Sequence, residues 1–124
     1  MLADTKAFSS FAVPDLEQAR AFYEGTLELR VTEENGLLIL HHAGDPPTLI
    51  YPKPDHQPAG FTILNFPVPE VEAAVDWLTQ RGVEMERYDG GFEQDERGIA
   101  RAGGPPIAWF KDPAGNVLSV VKQP

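Results

Sequence analysis

Along this chain, short stretches of alternating apolar and polar residues frame segments of helical periodicity, and the succession occurs twice. Residues 8–13 form a brief apolar run bounded by polar positions, the pattern of a strand. Asp15 follows as a helix cap, with Gln18 three residues on as its capping-box partner. Leu16, Ala19, Phe22, Tyr23 and Leu27 then line one helical stripe. Residues 29–33, 37–42 and 48–51 read as three further short strands.

The second half repeats this order. Residues 61–66 read as a strand, and Val71, Ala74, Val75 and Leu78 supply the helical stripe. Gly82 suits a left-handed helix stop after Arg81, while Glu70 is a weaker cap than Asp15. Residues 83–88, 106–111 and 117–121 complete the strands. Between the halves, Pro52, Pro54 and Pro58 predict a stiff, extended connection.

The residues themselves echo one another. VPDLEQA at 13–19 matches VPEVEAA at 68–74 with an offset of 55. HHAGDPPTLIY at 41–51 lies ungapped against WFKDPAGNVLS at 109–119 with an offset of 68. The offsets differ by 13, so the second module carries an insertion of about that length between its helix and its final hairpin. The Gly-rich, charged stretch 89–104 is its natural place, either as a lid or as a surface insertion. The predicted class is α+β: two tandem βαβββ modules forming a curved mixed sheet around a cleft, with the helices outside. One domain over residues 1–124 is expected, with module one at about 6–53, a linker at about 54–60 and module two at about 61–122.

Composition narrows the function. The chain has no cysteine, which excludes disulfides, thiolate metal sites and cysteine nucleophiles. A net charge of −9 argues against nucleic acid and would favour a cationic ligand. No apolar run reaches the roughly 20 residues that span a bilayer, and the N-terminus lacks a signal-peptide layout. A cytoplasmic protein without a membrane partner is expected.

VPDLEQARAFYEGTL resembles the first strand–helix joint of the vicinal-oxygen-chelate superfamily, the glyoxalase/bleomycin-resistance/dioxygenase family. WFKDPAGNVLSVV resembles the closing hairpin of that family, with residues 112–116 as the turn. The resemblance implies a metal held by one residue from the first strand of each module, usually His, and one from each last strand, usually Glu or His. The first-strand position lies seven residues before the acidic cap. Those positions fall here on Phe8, Ile63, Tyr51 and Ser119. Phe and Ile have no donor atom, and Ser and neutral Tyr are weak ligands. No metal and no cofactor are expected.

Period-two alternation then lists the cleft lining as Phe8 and Ser10, Tyr51, Ile63 and Asn65, and Ser119. Parity across the repeated hairpins pairs His41 with Trp109 as inward neighbours, while His42 points the other way. A mostly apolar, aromatic lining with a few polar groups suits a small organic molecule. One reading is a metal-independent binding protein that sequesters an aromatic or cationic compound, with a homodimer implied by the resemblance. The alternative is a lyase, isomerase or dioxygenase relative with an atypical or metal-free site, using His41, Tyr51 or a loop Glu. A non-catalytic interaction domain is a third reading.

Overall fold

The computed structural model describes residues 1–44 and 46–124; Asp45, inside the 41–51 echo, lies outside the described residues. The chain divides into two units, Met1–Gln57 and Pro58–Pro124. Among the described residues, each carries one mixed sheet and one principal helix, and together they hold seven strands.

In the first unit, β1 (Ser10–Val13), β2 (Arg30–Glu34), β3 (Leu37–His41) and β4 (Thr48–Pro52) lie in the order β1-β4-β3-β2. β1 runs parallel to β4, and the other pairs are antiparallel. The β2–β3 hairpin closes through Asn35 and Gly36, with φ of +52° and +77°. Asn-Gly is the pair that tolerates two positive φ values in a two-residue turn whose twist matches the strands.

Helix α1 (Leu16–Arg20) begins where Asp15 Oδ1 accepts the Gln18 backbone N–H at 3.1 Å, as the capping pattern predicts. It continues into a π-helical segment, Ala21–Thr26. That wider winding turns Tyr23 fully into the core, against Phe11 (5.8 Å between ring centroids) and edge-on to Phe22 (5.2 Å). Leu38, Leu40 and Ile50 complete this core.

The second unit repeats the order. β5 (Thr62–Val68), β6 (Ile107–Lys111) and β7 (Val117–Lys122) pair as β5-β7-β6, and α2 (Val71–Gln80) buries Val71, Val75 and Leu78. Glu70 makes no side-chain cap, and Gly82 stops the chain at φ +85°. Phe110 and Leu118 meet the α2 side of the sheet as buried residues.

Three expectations are corrected. Residues 83–88 do not form a full strand. Met85 bridges Phe110 and the Glu86 N–H reaches the Trp109 carbonyl at 2.8 Å. Further along the same edge of β6, Ala100 and Ile107 exchange both backbone bonds, at 2.8 and 3.0 Å. Part of the insertion thus occupies the edge that the strand would have used. Second, the connection between the modules is not simply extended. The His56 N–H closes on the Lys53 carbonyl at 3.0 Å, and Lys53 Nζ meets Asp55 at 2.7 Å. Proline fits the second position of such a turn, where Pro54 stands. Third, β1 begins at Ser10, so Phe8 precedes it and is 62% exposed. The ladder with β4 opens only at the Leu49 N–H to Ser9 carbonyl bond.

The closing turn of the second unit is tied by side chains. Asp112 Oδ1 accepts the N–H groups of Ala114 and Asn116, both at 2.9 Å, and Oδ2 accepts Asn116 Nδ2 at 2.9 Å. Gly115 takes φ +89°. Its missing Cβ is also a spatial need, since one would sit 3.1 Å from the Pro58 ring.

Candidate functional site

The face of the second sheet turned away from α2 carries a row of three cross-strand neighbours. Asn65 on β5, Ser119 on β7 and Trp109 on β6 are register partners in that order. Thr62, Val117 and Lys111 form the next row. Simple alternation assigns Ile63 to this face, but a bulge between Thr62 and Leu64 shifts the register. Thr62 therefore occupies the row, and Ile63, half-buried, is the extra residue of the bulge. Trp109 Nε1 donates to Thr62 Oγ1 at 3.1 Å, which fixes the indole across the sheet.

Two more rings close on that indole. Tyr88 stands edge-on at 5.6 Å, Phe92 is tilted at 5.4 Å, and Tyr88 and Phe92 are 6.3 Å apart. These separations are those of favourable aromatic pairs. Together with Phe61, Thr62, Val117 and Gly60 the three rings line a hollow of about 290 Å³. Phe61, Tyr88 and Phe92 remain partly exposed, so apolar ring surface faces an incoming molecule.

Gln94 holds the two added rings in place. Its Oε1 accepts the Tyr88 N–H at 2.8 Å, and its Nε2 donates to the carbonyls of Glu86 (3.0 Å) and Gly98 (2.8 Å). One carboxamide thus does for residues 86–88 what a neighbouring strand would have done. Gly98, buried with φ +86°, permits the return. Outside this bracket, Arg97 pairs with Asp76 and Arg101 with Glu72, both at 2.9 Å, tethering the stretch to α2. These pairs are exposed and individually weak. Arg87 reaches the carbonyls of Asp95 and Glu96. Truncating Gln94 to alanine should lower unfolding free energy by about 2 kcal/mol, the sum of three modest hydrogen bonds. It should also shift the Trp109 emission as Phe92 withdraws. An unaltered spectrum would show that Phe92 needs no such support.

The charges near the rings are balanced. Lys111 Nζ lies 3.4 Å from Glu86. Burial pushes the Tyr88 hydroxyl above its ordinary pKa, the Glu86 carboxylate adds to the rise, and Lys111 opposes it. The phenol is therefore neutral at physiological pH. Deeper in the insertion, burial raises the Asp95 carboxyl, but the Ile99 N–H, Arg101 and the Arg97 N–H outweigh it and hold it below the usual range.

In the first unit, His41, Ser10 and Tyr51 share the sheet face opposite α1 but occupy different rows. Ser10 is level with Leu49 and Ile39, Tyr51 with Ala12, and His41 with Arg30. His41 Nε2 is engaged with Thr32 Oγ1 at 2.8 Å. His42 turns to the buried face, where Thr48 Oγ1 joins it (2.9 Å) to Ser9 Oγ (3.0 Å). Tyr51 is 39% exposed.

The positions that the sequence resemblance marks for a metal do not suit one. Phe8 and Ile63 lack donor atoms, and the Ser119 hydroxyl donates to Asn65 Oδ1 at 2.5 Å. Among the described residues, no three His, Asp or Glu side chains are grouped to hold a metal ion. No helix among them is long and apolar enough to cross a membrane.

Tyr88, Phe92, Phe61 and Thr62 were not among the sequence candidates. For Phe92 a signal existed: it is the lone aromatic residue in the polar stretch 89–104. The others depend on the bulge and on the path of the insertion.

The fold of these units is that of vicinal-oxygen-chelate proteins. Residues 7–120 match the model of the Glyoxalase/Bleomycin resistance protein/Dioxygenase superfamily, and the chain belongs to it. Among solved structures it is similar to a glyoxalase family protein from Enterococcus faecalis, at 20% identity and a TM-score of 0.71. That match covers 98% of this chain and 100% of the other. TnmS3, an antibiotic binding protein from Streptomyces sp. CB03234, gives 21% identity and a TM-score of 0.71, covering 100% and 99%. The fosfomycin resistance protein FosX from Mesorhizobium loti gives 14% and 0.64, covering 98% and 93%. No curated protein matches the chain.

Proposed function

We propose that this protein binds a small planar organic compound, aromatic or cationic, without a metal, and acts by sequestering it as a homodimer. The observation that carries this reading is the cluster of Tyr88, Phe92 and Trp109 around an open hollow. Stacked and edge-on rings attract flat apolar molecules, and the ring faces attract cations. The acidic net charge of −9 favours the approach of a cation over that of a polyanion. An antibiotic binding protein and a fosfomycin resistance protein among the structural neighbours support a small-molecule ligand.

Fluorescence tests the idea, because the chain has two tryptophans. Trp77→Phe leaves Trp109 as the sole indole reporter. Titration with planar probes, both cationic (proflavine) and neutral (fluorenone), should quench it saturably. Phe92→Ala in that background should weaken binding about tenfold, as expected for one lost aromatic contact. Light scattering should return a dimer mass. Absence of saturable quenching with every probe, or stoichiometric metal in protein purified without chelators, would overturn the proposal.

A further inference from the structure

Ser119 is fully buried, and its hydroxyl donates to the side-chain oxygen of Asn65 at 2.5 Å. Asn65 is exposed, in the middle of β5, where asparagine is a poor strand residue. The bond uses the acceptor side of its carboxamide. The two donor hydrogens on Nδ2 then lie at the opposite end of the planar carboxamide, pointing away from Ser119. A buried hydroxyl thus sets which end of an exposed amide is presented.

The placement gives that orientation a use. Asn65 and Trp109 flank Ser119 in one cross-strand row, so their backbones are roughly 10 Å apart at ordinary strand spacing. Thr62, which fixes the indole and lines the hollow, stands in the adjoining row of the same face. A molecule of two or three fused rings lying along the row would rest on Trp109 at one end and reach the Asn65 amide at the other.

We infer that Asn65 selects the ligand: its amide N–H groups, oriented by Ser119, recognise an acceptor oxygen on a planar aromatic compound. The inference rests on the binding site proposed above and adds the chemical class of its occupant, a fused aromatic bearing a carbonyl or similar oxygen. Asn65 is the contacting residue and Ser119 the positioning residue. A neutral donor discriminates in a way that stacking alone does not. A ligand without the oxygen would leave the amide without its partner.

Fluorenone and fluorene form a matched pair of probes, since both are flat tricyclic molecules and only the first has the carbonyl. Titrated against the Trp77→Phe protein, fluorenone should bind about fivefold to tenfold more tightly. Asn65→Asp keeps an acceptor for the Ser119 hydroxyl but removes the N–H donors, so the ratio of the two affinities should fall to about one or below. Ser119→Ala, which releases the amide, should lower the ratio to an intermediate value. A ratio preserved in Asn65→Asp, with both affinities reduced alike, would mean that the pair only knits β5 to β7 and would overturn the inference. Equal binding of both probes by the parent protein, still dependent on Phe92, would sink the inference and leave the binding site standing. Binding of neither would overturn the inference, and would remove the binding site as well if proflavine also failed to bind.

Discussion

Asp112→Ala is expected to cost about 4 kcal/mol of unfolding free energy, because the buried carboxylate gathers three hydrogen bonds across the closing turn. Asp112 is 4% exposed and accepts three hydrogen bonds from residues two and four positions on. Bonds to a charged acceptor are stronger than neutral ones. Their loss takes the acceptor from the Ala114 and Asn116 backbone N–H groups, each at a cost of roughly 1–3 kcal/mol. The turn also delivers β7, which is central in its sheet, so slack there reaches both neighbouring strands. Urea unfolding should show a lower midpoint with an unchanged slope. Asp112→Asn, which preserves the shape and one acceptor, should recover about half of the loss. A loss under about 1 kcal/mol in the alanine variant would show that the backbone alone maintains the turn, against the usual cost of an unmet buried donor.

The second large effect belongs to Tyr23. Its ring is 0% exposed and touches Phe11 and Phe22 at aromatic-pair distances. Removing a buried ring of that size leaves a cavity and typically costs about 3–5 kcal/mol. Tyr23→Ala should therefore unfold at far lower urea than the parent. Tyr23→Phe keeps the ring and should lose only about 1 kcal/mol. The pair separates packing from hydrogen bonding. Similar losses in both variants would assign the effect to the hydroxyl and contradict the packing account.

Much of the scaffold is legible in local chemistry. Asp15 caps because its oxygen is the right distance from the Gln18 N–H, and Gly82 ends a helix because it tolerates positive φ. Residues 112–116 announce their turn by the same logic. Local rules fail where a distant segment decides. Residues 83–88 have a strand's alternation, but whether it pairs along β6 depends on Ala100, fourteen residues beyond Glu86. The parity that nominated Ile63 is reset by one extra residue in β5, which nothing in its neighbours betrays. Of the nominated site, Asn65, Ser119 and Trp109 are brought into one row, because cross-strand parity survives where the ladder is regular. Tyr88 and Phe92 are not marked by the repeat, because the path of the insertion after Tyr88 brings the two rings together.

Gln94 gives this arrangement a further meaning. Backbone bonds at Glu86 and Ala100 tie the two ends of the ring-bearing stretch to β6, and one carboxamide holds what lies between them. Residues 89–93, between Tyr88 and that carboxamide, can therefore change length or trade aromatics while the register of β5, β6 and β7 stays as it is. The strands and the ring that closes on them can thus be varied separately.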